Sequence, residues 1–150
     1  MKNLFDPARV SEIKERLSRL SPNSPRQWGK MNASQAVAHC VAGSELPLGE
    51  RLPPRVLLGR VLGWIIKPLA LKDDKPMRPN SPTVPGLVMD GDHDFELERE
   101  RLYKKIDRFA AAGPQGCTSH PHSFFGKLTP EEWAILMYKH LDHHLRQFGV

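Results

Sequence analysis

Signals that start helices are the feature of this sequence that most constrains its fold. Asp6 precedes Pro7, and a side-chain oxygen at the cap followed by proline at the first helical position is typical of a helix start. Thr129 and Pro130 repeat this pairing near the other end of the chain. Asn32 has a glutamine three residues later, which is the spacing of a capping box. Helices are therefore predicted to begin at three well-separated points.

Apolar residues follow these starts at spacings of three and four, as in amphipathic helices, and no segment shows the alternation of a strand. The predicted helices cover residues 7–20, 32–43, 56–66, 93–112 and 129–148. The helix at 56–66 is mostly apolar and is expected to stop before Pro68. Residues 72–92, rich in proline, glycine and charge, predict a long irregular segment. The predicted fold class is all-α: an antiparallel four-helix bundle with an extra apolar helix and a long irregular segment.

The length and net charge of the chain limit its domain count and its expected binding partners. The chain has 150 residues, which fits a single domain over residues 1–150. Its 22 Lys+Arg and 17 Asp+Glu give a formal charge of +5 without a dense basic run. Binding to nucleic acid is therefore not expected, and a preference for small anionic substrates is equally consistent with this charge.

The cysteines and the apolar stretches bear on the cellular compartment. Cys40 and Cys117 show no CxxC spacing and are too few for a disulfide framework, so a reduced, cytoplasmic location is the simpler interpretation. The most apolar stretch, residues 56–71, contains Arg60 and Lys67. A spanning helix needs about 20 mostly apolar residues. No membrane span is predicted; this stretch is interpreted as a buried or surface-docked helix, with membrane-surface contact as the alternative.

Two histidines of the last predicted helix point toward the core. At about 100° per residue, His140 and His144 share one stripe with Trp133 and Met137, whereas His143 lies to the side. Two stacked imidazoles inside a bundle are costly without partners. Histidines four residues apart on a helix are a known way to present two nitrogens to one divalent metal. A hydrogen-bonded histidine pair at a helix end is the other interpretation of this spacing.

His39 lies on a face of small residues, including Ala36 and Gly43, in the second predicted helix. Small residues leave space, so this face is interpreted as the wall of a cavity, although His39 taken alone is better explained as a hydrogen-bonded buried residue. Together with His140 and His144 it would supply a third nitrogen ligand. Three ligands with an open fourth position are typical of a catalytic metal, which acidifies bound water or a thiol and polarises carbonyls.

Other histidines and the cysteines are weaker candidates. His120 and His122 lie in the loop before the last helix. His120 is a candidate general base beside the metal, and an exposed loop position explains it equally well. His122 is interpreted as an exposed or packing residue. Neither Cys40, which points away from the His39 face, nor Cys117, which has no base beside it in sequence, is predicted to be a ligand or nucleophile.

The sequence resembles an uncharacterised branch of the DinB-like superfamily of small helical bundles. The superfamily motif has one histidine on the second helix and HxxxH on the last helix, commonly followed by Arg and Gln. Here the matching residues are His39 in NASQAVAHC and His140, His144, Arg146 and Gln147 in HLDHHLRQFG. The resemblance runs from residue 28 to residue 148 and is weakest across residues 46–90.

The resemblance implies a four-helix bundle, a homodimer, and a divalent metal, zinc or nickel, on His39, His140 and His144. Some relatives are metal-dependent transferases that use low-molecular-weight thiols, or isomerases that use such a thiol as cofactor. The superfamily often has glycine between the Arg and the Gln of its motif, whereas Arg146 is followed directly by Gln147 here. The chemistry of any one subfamily therefore does not carry over.

The leading hypothesis for function is a metal-dependent enzyme, either a thiol S-transferase or a hydrolase, that acts on a small electrophilic substrate. In this hypothesis His120 moves the proton. The alternative is a non-catalytic bundle that binds a small ligand or a metal and acts as a dimeric interaction module. The apolar helix at 56–66 would serve a dimer contact or a membrane surface.

Overall fold

The computed structural model describes residues 1–150 and confirms the all-α fold. Its helices are α1 (Pro7–Arg19), α2 (Ala33–Glu45), α3 (Leu57–Leu71), α4 (Phe95–Ala112) and α5 (Pro130–Gln147). Helices α1, α2, α4 and α5 form the antiparallel four-helix bundle, in which α2 and α1 each pack against α4 and α5. Helix α3 is the extra apolar helix. The chain contains no strand, and an isolated β-bridge joins His122 to Gly126.

The helix starts lie where the capping signals predicted them. The side chain of Asp6 accepts a backbone N–H of α1. At α2 the side chains of Asn32 and Gln35 each accept the backbone N–H of the other, and Thr129 and Glu132 form the same capping box at α5. These bonds satisfy N–H groups that have no partner within the helix. The local sequence thus determines where the helices that carry the histidines begin.

Helix α5 is the central element of the bundle, because it is buried on nearly its whole circumference. Trp133 lies in the core, as the sequence predicted. The polar side of the helix is also covered: Lys139 Nζ donates to the Ala70 carbonyl at 2.6 Å. Asp142 accepts a hydrogen bond of 2.7 Å from Arg16 of α1. Packing on all sides restricts the rotation of α5, and with it the direction of the histidines.

The prediction that α3 stops before Pro68 is wrong, because the helix continues through Pro68 to Leu71. Proline has no N–H to donate, so the carbonyl of Trp64 loses its partner within the helix. Trp64 is 72% exposed and Pro68 is also exposed. Water can therefore reach the carbonyl, and the interruption costs less there than in a packed helix.

Helix α3 packs inward through its glycines and turns large apolar side chains outward. A Cβ at Gly59 or Gly63 would lie 2.6 or 2.2 Å from the carbonyl oxygen of Phe124, so only glycine allows the helix to approach that loop backbone. Large apolar residues on the other side are exposed, with Leu57 at 78% and Trp64 at 72%. None of the five helices combines the length and apolarity needed to cross a lipid bilayer.

The long irregular segment, residues 72–92, is present as predicted apart from a short 3₁₀ turn at Pro85–Leu87. This turn contacts α2. Leu87 is 7% exposed and belongs to the core. The segment therefore covers the bundle beside the second helix, which brings its backbone next to His39.

Candidate metal centre

Three histidines from two helices converge inside the bundle. His39 lies on α2, and His140 and His144 lie one turn apart on α5. One ring nitrogen from each residue lies within 4.8 Å of the others. His39 is 3% exposed and His144 is 9% exposed, while His140 is half-buried. The structure thus brings together the three residues that the sequence proposed as ligands, here named the histidine triad.

A backbone carbonyl fixes the orientation of His39. The Nδ1–H of His39 donates to the carbonyl oxygen of Leu87 at 2.7 Å. A carbonyl oxygen only accepts, so the proton of the neutral ring lies on Nδ1 and Nε2 keeps a lone pair. Metal-ligating histidines commonly donate their second ring nitrogen in this way. No sequence pattern predicts this contact, because Leu87 lies in the irregular segment.

Gln147 fixes His144 in the same protonation state. The Nδ1–H of His144 donates to Gln147 Oε1 at 2.8 Å. The other end of the amide, Gln147 Nε2, donates to the Trp28 carbonyl at 2.9 Å, which leaves only the oxygen to face the histidine. The Nε2 of His144 therefore carries a lone pair. Two of the three triad residues thus have a ligand nitrogen without a proton, because the outer nitrogen of each ring carries the proton and donates it to an oxygen.

His140 completes the triad and connects it to α2. The Nε2 of His39 carries no proton, so His140 Nε2–H donates to it at 2.9 Å. Coordination through the same His140 nitrogen requires that proton to move to Nδ1 or to leave the ring. The ring of His140 lies against Gly43, where an added Cβ would be 2.8 Å from His140 Cε1. The small residue that the sequence interpreted as a cavity wall makes room for this imidazole.

Burial keeps the triad neutral. It is the main cause that lowers the pKa of His39, places the pKa of His140 well below its ordinary value, and lowers the pKa of His144 to about 3. Neighbouring histidines lower these pKa values further. The neutral imidazole is the form that binds a metal. Three neutral nitrogens, two with lone pairs fixed by hydrogen bonds, are chemically suited to hold a divalent metal.

Comparison with protein families supplies one match, to a family described as "Protein of unknown function (DUF1569)", over residues 6–149. The chain belongs to the DUF1569 family. The match includes every residue of the histidine triad and all five helices. Comparison with curated proteins and with solved structures finds no match. The family description assigns no activity, so the function of this DUF1569 chain must be argued from its site.

His143, the third histidine of α5, lies outside the triad. It is buried between Trp28, with ring centroids 5.6 Å apart, and His144, with ring centroids 5.0 Å apart. His143 therefore packs against the outer side of the triad.

Gln35, which stands one turn before His39, does not approach the triad, because its amide caps α2 and donates to the Gly91 carbonyl.

The cysteines also lie apart from the triad. Cys40 is buried in the apolar core, and burial raises the pKa of its thiol well above the ordinary value. Cys117 is half-buried in the loop after α4, and burial raises its pKa as well. Thiols with raised pKa values are weak nucleophiles and weak metal ligands at neutral pH. This agrees with the sequence interpretation, which gave neither cysteine a chemical role.

His120 lies in a separate cavity rather than in the triad. This cavity, named the loop pocket, contains about 160 Å³ of empty space when the open solvent at its mouth is included. Its lining residues are Leu46, Arg51, Pro53, His120, Pro121, His122, Ser123 and Trp133. The Nε2–H of His120 donates to the Pro53 carbonyl at 3.3 Å, so in the neutral ring Nδ1 has the lone pair. The structure thus places the predicted general base with a second histidine that the sequence interpreted as exposed or packing.

That second histidine, His122, packs beneath the loop pocket. Its ring centroid is 5.5 Å from that of Trp133 and 5.0 Å from that of Phe125. Burial is the main cause that lowers its pKa to about 4, and the positive charge of Arg55 lowers it further. His122 is therefore neutral at physiological pH.

Proposed function

We propose that this DUF1569 chain is a divalent-metal-dependent enzyme that acts on a small electrophilic substrate as a thiol S-transferase or a hydrolase. The observation that carries the proposal is the histidine triad, in which two ligand nitrogens carry no proton because the outer N–H groups donate to oxygen atoms. A bound divalent metal lowers the pKa of a coordinated water or thiol and polarises a carbonyl group. A low-molecular-weight thiol is the proposed co-substrate of the transferase.

The superfamily, the ligands, the metal and the cellular location are proposed together. The chain is proposed to be one DinB-like domain over residues 1–150, supported by the helical motif and by a continuous core of 27 buried residues that reaches from Leu4 to Phe148. His39, His140 and His144 are the proposed ligands. Zinc or nickel is the proposed metal, because imidazole nitrogen suits both. The two free cysteines support a reduced, cytoplasmic location.

His120 is the proposed proton carrier. Its Nδ1 keeps a lone pair because Nε2–H is used by the Pro53 carbonyl. The ring is half-buried on the rim of the loop pocket, where substrate and water can reach it. Leu46 lines this pocket, and Gly43, one turn earlier on α2, contacts His140 of the triad. The neighbouring position of pocket and triad supports a role for His120 in the same reaction.

A homodimer formed through α3 is the proposed assembly. Leu57, Val61 and Trp64 repeat at the helical spacing on the exposed side of α3. The inward side carries Lys67, which pairs with Glu132 at 2.9 Å, and the exposed Arg60 lies at the edge of the apolar stripe. An apolar stripe of this kind suits a second copy of the same helix better than an anionic membrane surface. The expected result is a mass of two chains by analytical ultracentrifugation and of one chain for Trp64→Glu.

A non-catalytic metal- or ligand-binding module is the second candidate function. The observation that favours it is the hydrogen bond of 2.9 Å between His39 and His140, which gives the Nε2 atom of each ring a partner without a metal. Exchange of water or thiol at the bound metal separates the two functions. An enzyme requires rapid exchange at an open position, whereas a closed coordination sphere supports the module.

Elemental analysis of the purified protein tests the proposal. One divalent metal per chain is expected, and the combined replacement of His39, His140 and His144 by Ala is expected to abolish uptake. His143→Ala is the matched control, because this histidine is buried beside the triad and is not a proposed ligand. Absence of metal from the wild-type protein, with uptake by the triple variant unchanged, would rule out a metal centre at these residues.

A further inference from the structure

Two buried polar groups of the loop pocket have no hydrogen-bond partner in the protein. They are the hydroxyl of Ser123 and the indole nitrogen of Trp133. Ser123 is 1% exposed and Trp133 is 2% exposed. Native proteins rarely leave such groups unpaired, since each one costs about 1–3 kcal/mol. Both residues line the same cavity, so one bound group could accept hydrogen bonds from both.

His122 supplies a third donor to the loop pocket. Its Nδ1 accepts the backbone N–H groups of Phe124 at 3.0 Å and of Phe125 at 3.1 Å. Two N–H groups that donate to Nδ1 require that nitrogen to be without a proton, so the proton of the neutral ring lies on Nε2. Ser123, Trp133 and His122 thus each contribute an N–H or O–H group, and the indole N–H can only donate.

An arginine without a carboxylate partner lies near these donors. Arg51, on the half-exposed rim of the pocket, is paired with Glu45 at 3.0 Å. Arg55 lies close enough to His122 to act on it electrostatically. Its Nη2 donates to the Gly59 carbonyl, and its buried Nε has no partner, so no carboxylate neutralises this guanidinium. Donors beneath an uncompensated positive charge favour an anionic ligand group.

We propose that the loop pocket binds the carboxylate of a small carboxylic acid, and that this acid is the substrate of the triad. A carboxylate presents two oxygens with about four acceptor positions and no donor, which matches the lining. The loop pocket is small and partly open to solvent, so it receives only the carboxylate end group while the rest of the molecule extends outward.

The fold aligns the loop pocket with the triad. Trp133 and His140 lie on one stripe of α5, two turns apart, which is about 10 Å along the helix axis. Leu46, the residue just after α2, lines the pocket, and Gly43, one turn earlier, contacts His140. A substrate held by its carboxylate beside Trp133 can thus place its reacting atom near the triad. This assignment of substrate class rests on the proposed metal-dependent function, whereas carboxylate binding itself does not.

Titration of the metal-free full-length protein with sodium acetate tests the pocket. The probe is the set of three indole N–H signals in a ¹H–¹⁵N NMR spectrum, with the Trp133 signal assigned through Trp133→Phe. The Trp133 signal is expected to shift to lower field and to saturate, while the Trp28 and Trp64 signals stay in place. Ser123→Ala is expected to weaken acetate binding by about tenfold or more. Ser44→Ala is the matched control, since this buried serine donates to the Cys40 carbonyl outside the pocket.

Three arms decide the outcome. No saturable shift of the Trp133 signal with acetate would overturn the proposal, and this wild-type experiment stands even if a variant fails to fold. Equal binding of acetamide, or the same shift with sodium chloride at equal ionic strength, would overturn it as well, because the site would then not select a carboxylate. Acetate binding by the triple His→Ala variant of the triad is expected to equal that of the wild type. Failure of the metal centre and failure of the pocket therefore give different results.

Discussion

The histidine triad and the loop pocket use buried histidines in opposite ways. In the triad, oxygen atoms of Leu87 and Gln147 accept the Nδ1–H of His39 and His144, so the inner nitrogens keep lone pairs. In the loop pocket, backbone N–H groups donate to Nδ1 of His122, so its other nitrogen carries a proton. Lone pairs bind cations, and N–H groups bind acceptors. The partner of one ring nitrogen therefore determines what the other nitrogen can bind.

Removal of a triad imidazole is expected to change Zn²⁺ affinity the most. His140→Ala is predicted to weaken Zn²⁺ binding by more than about a hundredfold, because losing a ligand lowers metal affinity more than losing the hydrogen-bond partner of a ligand. Competition against a chromophoric chelator measures the affinity. His122→Gln is the matched change in the other region and is expected to leave Zn²⁺ affinity unchanged. Equal losses in the two variants would remove the distinction between the regions.

Loss of the acceptor behind His144 is expected to have the next largest effect. Gln147→Met keeps the length of the side chain but cannot accept the His144 Nδ1–H, so Nε2 is no longer held without its proton. Zn²⁺ affinity is predicted to fall by about 10- to 100-fold, the usual effect of removing such a partner. Arg146→Ala, an exposed change next to it in sequence, serves as control. Unchanged affinity in Gln147→Met would show that tautomer control is unimportant in the triad.

A methyl group at Gly43 tests the fit of His140 against α2. Its Cβ would lie 2.8 Å from Cε1 of His140, so the ring must shift. Gly43→Ala is predicted to lower the free energy of unfolding of the metal-free protein by about 1–3 kcal/mol, the usual cost of overpacking. Urea denaturation measures this change. Gly86→Ala, where a Cβ meets no atom within 4 Å, is the matched control and is expected to change stability far less.

The pH dependence of stability is expected to give the smallest difference between variants. Folding lowers the pKa of His122 from 6.5 to about 4, so below pH 6.5 the unfolded chain binds more protons than the folded chain. The stabilisation is complete above pH 6.5 and is lost as the pH falls from 6.5 toward 4. The slope is at most about 1.4 kcal/mol per pH unit for this proton. His122→Gln should show a shallower slope in urea denaturation, and an unchanged slope would contradict the buried, neutral state of His122.

Local sequence predicts the helix starts and the inward direction of the triad for a physical reason. Caps such as Asn32 and Thr129 act on backbone groups three residues away, and helical periodicity fixes which side chains share a face. The structure confirms both features. The hydrogen-bond partners of the Nδ1 atoms could be predicted only in part. Gln147 lies three residues from His144, whereas Leu87 is 48 residues from His39. No local pattern encodes a contact between a side chain and the carbonyl of a distant irregular segment.

The loop pocket and the packed side of α3 could not be predicted, for related reasons. Ser123 and Trp133 meet through tertiary packing, and a single loop serine carries no pattern that indicates burial. In α3, apolar residues normally indicate the buried side of a helix. Here Gly59 and Gly63 pack against the loop backbone while the large apolar residues are exposed, so the usual rule assigns the wrong side.

The tautomers of the histidines test the central claim most directly. Long-range ¹H–¹⁵N NMR of the metal-free protein at neutral pH distinguishes a protonated from an unprotonated ring nitrogen in each residue. The predicted result is a proton on Nδ1 in His39 and His144 and a proton on Nε2 in His122 and His140. Addition of Zn²⁺ is expected to shift the Nε2 signals of His39 and His144 and to leave His122 unchanged. A proton on Nε2 of His39 or His144, or on Nδ1 of His122, would contradict the account.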